Sequence, residues 1–191
     1  MDSGVGDGRR AKPGQADAFR VPRRQILAKN PCGDAMIIRP YRESDRAAIK
    51  AITVEAFASV AIEQNVEKAF GVVAGHDWRW RKARQIDEDC DASGAVIWVA
   101  EDGQGVAIGY VTTRIDREAG VGWIHNLAVA AGSRGQGIGR RLIQQALESF
   151  REAKLELARI ETLDQNPVGQ HLYPDCGFVQ VARQLHFALR L

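Results

Sequence analysis

The chain has 191 residues, enough for one domain with a sizeable core and short for two. With 45% hydrophobic and 26% charged residues it has the composition of an ordinary soluble globular protein, and no apolar run reaches the roughly 18 residues of a spanning helix. The net charge of +2 comes from the N-terminus: residues 1–35 hold seven Lys/Arg against four Asp/Glu and the rest 19 against 20, so nothing global points to nucleic acid.

Residues 1–35 also hold five of the 19 glycines and three of the six prolines. Such a segment buries too little to offset its ordering entropy, which predicts a flexible basic leader, with the folded unit running from Met36 to Leu191. The N-terminal stretch has no hydrophobic core of the kind a secretory signal carries, so export is not expected. The three cysteines, Cys32, Cys90 and Cys176, are an odd count without a C-x-x-C pair. They predict reduced thiols in the cytoplasm and no zinc or other metal site.

In chain order, Met36–Arg39 reads as a short strand. "ESDRAAIKAITVEAF" then places Ala48, Ile49, Ile52, Ala56 and Phe57 on one helical face behind Ser44 as N-cap. Ala61–Asp89 is helical in part and carries Trp78 and Trp80 among arginines. "AVIWVA" and "AIGYVTT" flank the turn "EDGQG" as a hairpin, and "VGWIHNLAV" follows as a third antiparallel strand. The next helix buries Ile138, Leu142, Ile143, Leu147 and Phe150 and turns Arg140, Arg141, Gln144, Gln145 and Glu148 outward. "LARIETL" is a fifth strand. Asn166 as N-cap with Pro167 at N1 starts a short helix that Pro174 and Gly177 stop. Two closing strands, Phe178–Ala182 and His186–Leu189, complete an α+β fold.

Between the 121–129 strand and its helix lies a loop with Gly135, Gly137 and Gly139. It has neither the G-x-x-x-x-G-K-[ST] of a Walker A loop nor the G-x-G-x-x-G of a dinucleotide fingerprint. Small residues at a helix N-terminus leave backbone N–H groups open to an anion, and Arg134 and Arg140–Arg141 add positive charge. The same glycines also suit a turn that only lets helix pack on sheet.

Two motifs go further. Arg134-Gly135-Gln136-Gly137-Ile138-Gly139 matches [QR]-x-x-G-x-[GA], and Asn166, Tyr173, Gly177 and Phe178 match N-x6-Y-x3-G-F downstream. With the order of elements, these resemble the GNAT N-acetyltransferase superfamily over Met36 to Leu191, most strongly from Val121 to Phe178. The resemblance implies a mixed, mostly antiparallel sheet of six to seven strands with helices on both faces, splayed between the fourth strand (121–129) and the fifth (from 157). It implies that Arg134, Gly135, Gln136, Gly137, Ile138, Gly139 and Arg140 hold the pyrophosphate of acetyl-CoA. It likewise gives the backbone of Leu127, Ala128 and Val129, with Asn166, to the pantetheine arm.

Acetyl transfer needs a base, because an amine attacks only when neutral and a lysine-like ammonium has a pKa of about 10.4. It also needs an oxyanion donor and an acid for the departing thiolate. The resemblance assigns the donor to the Val129 N–H and the acid to Tyr173. For the base it offers Glu161, five residues before Asn166 and twelve before Tyr173, with His125 as rival; Trp123 stands where other members carry a carboxylate. The Glu161 spacing is that of the ribosomal-protein and N-terminal α-amine acetyltransferases, which implies a protein or peptide amine as acceptor. A small amine or antibiotic and a non-catalytic acyl-CoA sensor are the alternatives. The acceptor site is expected along Ala56–Asp89 and Arg183–Leu185, with Trp78 and Trp80 either lining it or covering a core edge. Homodimers are common among members. Gly169, His171 and Pro174 depart from the usual helix formers around the tyrosine, and Cys176 reads as a small buried thiol.

Overall fold

The alternating apolar stretches between 96 and 129 form the middle of one sheet. β3 (Val96–Asp102), β4 (Ala107–Asp116) and β5 (Val121–Val129) pair antiparallel in sequence order. The β3–β4 turn is held by Asp102, whose Oδ1 accepts from the amides of Gln104 and Val106, both at 2.9 Å. The computed structural model describes residues 26–29 and 35–191. In it β2 (Ala35–Pro40) lies antiparallel beside β3, and β6 (Leu157–Ile160) runs parallel to β5. Residues 35–160 thus give five strands of a mixed sheet.

A sixth, β1 (Ile26–Lys29), pairs antiparallel with β2 at the edge. It falls inside the expected flexible leader, where Ile26-Leu27-Ala28 supplies an apolar run; the rest of that leader lies outside the described residues. Downstream, the two closing strands expected at Phe178–Ala182 and His186–Leu189 are not formed. Val179, Val181, Phe187 and Leu189 are each more than four-fifths exposed. Alternation makes a strand only where an edge accepts its hydrogen bonds, and β6, ending at Ile160, offers four residues. The sheet reaches six strands through β1 and not through the C-terminus.

Helices cover both faces. On one, α1 (Arg46–Ala56) and α3 (Trp78–Asp91) bury Ile49, Ile52 and Ile86 against Val99, Tyr110 and Ala128, with α2 (Ile62–Phe70) beside α3. On the other, α4 (Ile138–Glu152) sets Ile138, Leu142, Ile143, Ala146 and Phe150 on Trp98, Val111 and Ile124. Full burial of each Leu, Ile or Phe stabilises by about 1.5–3 kcal/mol, so α4 is fixed chiefly by this stripe. Gln145, expected outside, is 7% exposed. The buried face of α4 is wider than its apolar stripe: the Gln145 carbonyl accepts from Ser149 Oγ, which in turn accepts from Trp98 Nε1, both at 3.0 Å.

Ser44 does not cap α1. A short 3-10 turn, Glu43–Asp45, precedes the helix, and Asp45 accepts from Arg39 through both oxygens, at 2.7 and 2.9 Å. Arg39 is 3% exposed and also reaches Glu101 on β3 at 2.5 Å, so one buried guanidinium ties β2, β3 and the entry to α1. α5 (Pro167–Asp175) follows β6, and Pro174 lies inside its last turn instead of ending it. No helix among the described residues is long and apolar enough to cross a membrane.

Candidate active site

β5 and β6 pair from Val121 opposite Leu157 to Ile124 opposite Ile160, and there β6 ends while β5 runs on to Val129. Beyond Ile124 that edge of β5 is not paired by β6, and this lies between the two strands where the splay is expected. A bulge sits at the same point: Thr112 faces Asn126 and Thr113 faces Ile124, which leaves His125 without a cross-strand partner. The Ala130 amide donates to Ile108 of β4, at 2.9 Å. Strand alternation then turns the amides of Leu127 and Val129 to the open side of the splay and that of Ala128 toward β4.

The glycine loop stands at the end of this opening. Gly135 and Gly137 both have φ near +75°, and a Cβ at either would meet no atom within 4 Å. Gly137 is the N-cap of α4, with φ 75° and ψ 6° and no side-chain cap. Arg141 donates the first intrahelical bond, to the Gly137 carbonyl at 3.1 Å. The amides of Ile138, Gly139 and Arg140 thus have no acceptor within the helix. An uncovered first turn on a helix of 15 residues fits a diphosphate. Arg134 flanks it and donates from Nε to the Val129 carbonyl at 3.1 Å, while Arg140 is engaged with Asp175 of α5, at 2.8 and 2.9 Å.

Gly139 marks the convergence. A Cβ there would meet Leu172 Cδ2 at 3.4 Å and Val129 Cγ2 at 4.0 Å, so α4, α5 and the end of β5 approach within the width of one side chain. Tyr173 follows Leu172, packs on the α4 core, and meets the Phe178 ring edge-on at 6.3 Å. Burial pushes its phenol up to about 12, so it carries its proton throughout the neutral range. Asn166 caps α5: its Oδ1 accepts from Gly169 at 3.2 Å and its Nδ2 donates to Thr162 Oγ1 at 2.8 Å. A Cβ on Gly169 would stand 2.7 Å from that hydroxyl, which accounts for glycine at this position.

The two candidate bases differ in surroundings. Glu161 lies just past β6, 54% exposed, and accepts from Arg159 at 3.0 Å. His125 is half-buried, with its Nδ1 3.3 Å from Asp89 Oδ1 and its ring edge against Trp123 at 4.4 Å. Its Nε2 is buried and has no hydrogen-bond partner among the described residues.

Asp89 anchors a buried polar network that the sequence does not single out. It is 3% exposed and accepts from Thr112 Oγ1 at 2.5 Å, Asn126 Nδ2 at 2.8 Å and Arg114 at 3.1 Å. Burial pushes its carboxyl up, but hydrogen bonds from His125, Thr112 and Asn126 outweigh that and hold it below the ordinary range. Lys82, lowered by burial, continues the network to Asn126 Oδ1 at 2.9 Å and Gln85 at 2.8 Å, and Gln85 donates to Glu63 of α2 at 2.5 Å. The one signal in the sequence is the polar pair His125-Asn126 inside an apolar strand; nothing separates Asp89 from Asp87, Glu88 and Asp91. Of the two tryptophans, Trp78 is core at 4% exposed, while Trp80 is 43% exposed and stacks on His76 at 3.6 Å.

Residues 59–178 match the model of the acetyltransferase (GNAT) family. Over 87 residues the chain is 28% identical to N-alpha-acetyltransferase 30 of Saccharomyces cerevisiae, which covers 44% of this chain and about half (49%) of that relative. Among solved structures it is similar to a putative acetyltransferase from Pyrococcus furiosus, with TM-score 0.63 at 18% identity over 81% of this chain and 99% of the other. It is also similar to the aminoglycoside N-acetyltransferase AAC(6')-Iy in complex with CoA, with TM-score 0.59 at 17% identity over 90% of this chain and 100% of that one.

Proposed function

The chain belongs to the GNAT acetyltransferase family, and from this we infer that it moves the acetyl group of acetyl-CoA to a primary amine by direct attack in a ternary complex. A protein or peptide amine is the acceptor in this reading, supported by the likeness to an N-alpha-acetyltransferase and by the Glu161–Asn166–Tyr173 spacing. The catalytic unit is residues 36–191, working in the cytoplasm. Pairing with a second copy belongs to the same reading, supported by Val179, Val181 and Phe187, which stay exposed on the single chain.

The observation that carries the proposal is the meeting of the loop, the β5 end and α5 around Gly139. The amides of Ile138, Gly139 and Arg140 hold the diphosphate, where helix dipole and unmet N–H groups act together. The Leu127 amide, turned into the splay, pairs with a carbonyl of the pantetheine arm as a further strand would. Asn166 has a second amide hydrogen for the same arm. Acetyl-CoA supplies the activated thioester carbonyl. The Val129 N–H is placed to donate to the oxygen on which charge develops, and a fixed donor needs no reorganisation as it does so. Tyr173, protonated at working pH, gives its proton to the departing thiolate.

Tyr173→Phe tests the reading against that of a sensor that binds acyl-CoA without turning it over. The expected result is a loss of kcat of about 10²-fold or more with CoA affinity unchanged. Unchanged turnover would remove Tyr173 from the chemistry, and wild-type protein that binds CoA but acetylates no amine would overturn the transferase reading.

A further inference from the structure

The loop and α5 account for the cofactor and the leaving group, but they leave unused a half-buried histidine beside a buried carboxylate. His125 is the extra residue of the β5 bulge, one residue past the last β5–β6 pair and two residues before the Leu127 amide. Its Nδ1 lies 3.3 Å from Asp89 Oδ1, and an ionised carboxylate only accepts, so the Nδ1 carries the hydrogen. That leaves Nε2 with a lone pair, buried and without a partner among the described residues. A buried polar atom costs free energy when it is unpaired, so Nε2 is a group that the hydrogen of an incoming ligand would satisfy.

We propose that Asp89 is the positioning residue that makes His125 the proton acceptor for the incoming amine. The proposal rests on the transferase reading above and deepens it. Asp89 reaches across from α3 and fixes the bulge at three points besides the ring. It takes the Asn126 side-chain amide and the Thr112 hydroxyl, and that hydroxyl in turn accepts the Asn126 backbone N–H at 3.0 Å. Arg114 of β4 supplies the remaining donor at 3.1 Å. Every lone pair on the carboxylate that matters for orientation is thus committed, and the imidazole is held in one tautomer and one direction. Trp123 presses on the ring, and the guanidinium of Arg159 from β6 lies 5.1 Å from the Trp123 ring centre, so the row His125–Trp123–Arg159 crosses the sheet where β5 and β6 part.

In the step, the acceptor ammonium N–H breaks and an Nε2–H bond forms, directly or through one water that the acceptor brings. The neutral amine attacks the thioester carbonyl carbon, the C–S bond breaks as Tyr173 protonates the departing sulfur, the second proton of the attacking nitrogen restores the Tyr173 phenol, directly or through water, and the proton on the imidazolium passes to solvent after product leaves. The charged groups around the imidazole are Asp89 and, behind Asn126, Lys82 of α3, with Arg114 of β4; the negative carboxylate is the one in contact. Glu161, half exposed and paired with Arg159, has no comparable orienting partner.

The test is made on the full chain with CoA binding as the control for folding. Long-range proton–nitrogen NMR of the wild-type imidazoles is expected to show His125 in the Nδ1–H tautomer, and Asp89→Asn is expected to mix the two tautomers. With a peptide α-amine as acceptor, His125→Gln is expected to lower kcat about 10²-fold and Asp89→Asn on the order of tenfold. Asp89→Glu is expected to recover part of the loss, and KM for acetyl-CoA to stay within about twofold in all three. A wild-type His125 protonated on Nε2 overturns the proposal whatever the kinetics, as does full kcat in His125→Gln. If Asp89→Asn does not fold, the wild-type tautomer and His125→Gln decide. Loss of activity in Tyr173→Phe together with full activity in His125→Gln would leave the transferase reading standing and this inference refuted.

Discussion

Gly137 is the position at which fold and function separate most cleanly. Its backbone is left-handed, with φ 75° and ψ 6°, and an added Cβ meets nothing within 4 Å. Gly137→Ala therefore introduces conformational strain without a clash, about 1–2 kcal/mol, and for a chain of this length each kcal/mol lowers Tm by about 2–4 °C. The methyl group also stands in front of the uncovered first turn of α4. With CoA at about 100 times its Kd, binding raises stability by about 2.7 kcal/mol; a hundredfold weaker site at the same concentration retains about 0.4 kcal/mol. The variant is thus expected to melt a few degrees lower without ligand and to lose nearly all of the rise that CoA gives. Gly105→Ala is the control, since Gly105 also has a positive φ, of +81°, and open space around it, but sits in the β3–β4 turn. Melting curves with and without CoA, backed by calorimetric titration, read both terms. A full CoA-induced rise in Gly137→Ala, or its equal loss in Gly105→Ala, would refute the assignment of the diphosphate to this loop.

Gly122 holds α4 against β5, because a Cβ there would stand 2.5 Å from the Phe150 ring, well inside the roughly 3.5–4.0 Å of normal contact. Gly122→Ala is expected to cost about 1–3 kcal/mol, and Phe150→Leu in the same chain to recover part of it; additive losses in the double-mutant cycle would contradict this. Gly169→Ala pushes on Thr162 Oγ1 and on the Asn166 cap and should raise KM for acetyl-CoA more than it lowers kcat, with Thr162→Ala relieving most of the effect. In acid, Asp45 and Asp89 decide the outcome. Burial raises both, but Arg39 and the Arg42 amide for Asp45, and the donors around Asp89, bring them below the ordinary value. A carboxyl lower in the folded than in the unfolded chain gives stability that is complete above the unfolded value of about 3.9 and is lost as pH falls through the folded value. Tm is expected to be flat from about pH 7 to 5 and to fall below about pH 4, less steeply in Asp45→Asn; a Tm level down to about pH 2.5 would contradict it.

Much of this was legible in the residues. The 96–129 hairpins, the α4 stripe and the Asn166–Pro167 start of α5 follow from local pattern, which packing here reinforces. The loop glycines announced themselves by spacing, and their positive φ values agree with that reading. What failed depended on partners distant in sequence. Val179, Val181 and Phe187 alternate like a strand yet find no edge, and Ser44 yields to an Asp45 drawn away by Arg39. Asp89 was invisible because its importance lies in where α3 crosses the β5 bulge, and a bulge leaves no composition signal. Glu161 and His125 could not be ranked by spacing, since the difference is in burial and in what faces each.

The claim that this chain transfers an acetyl group to an amine is tested most directly by following both products at once. Full-length protein is given acetyl-CoA labelled in the acetyl group together with peptide α-amines, lysine peptides, polyamines and aminoglycosides in parallel. The account predicts label on the α-amine of peptides, with one free CoA thiol released for each acetyl group transferred. Tight CoA binding with no label on any acceptor, or thiol release without acetylated product, would contradict it.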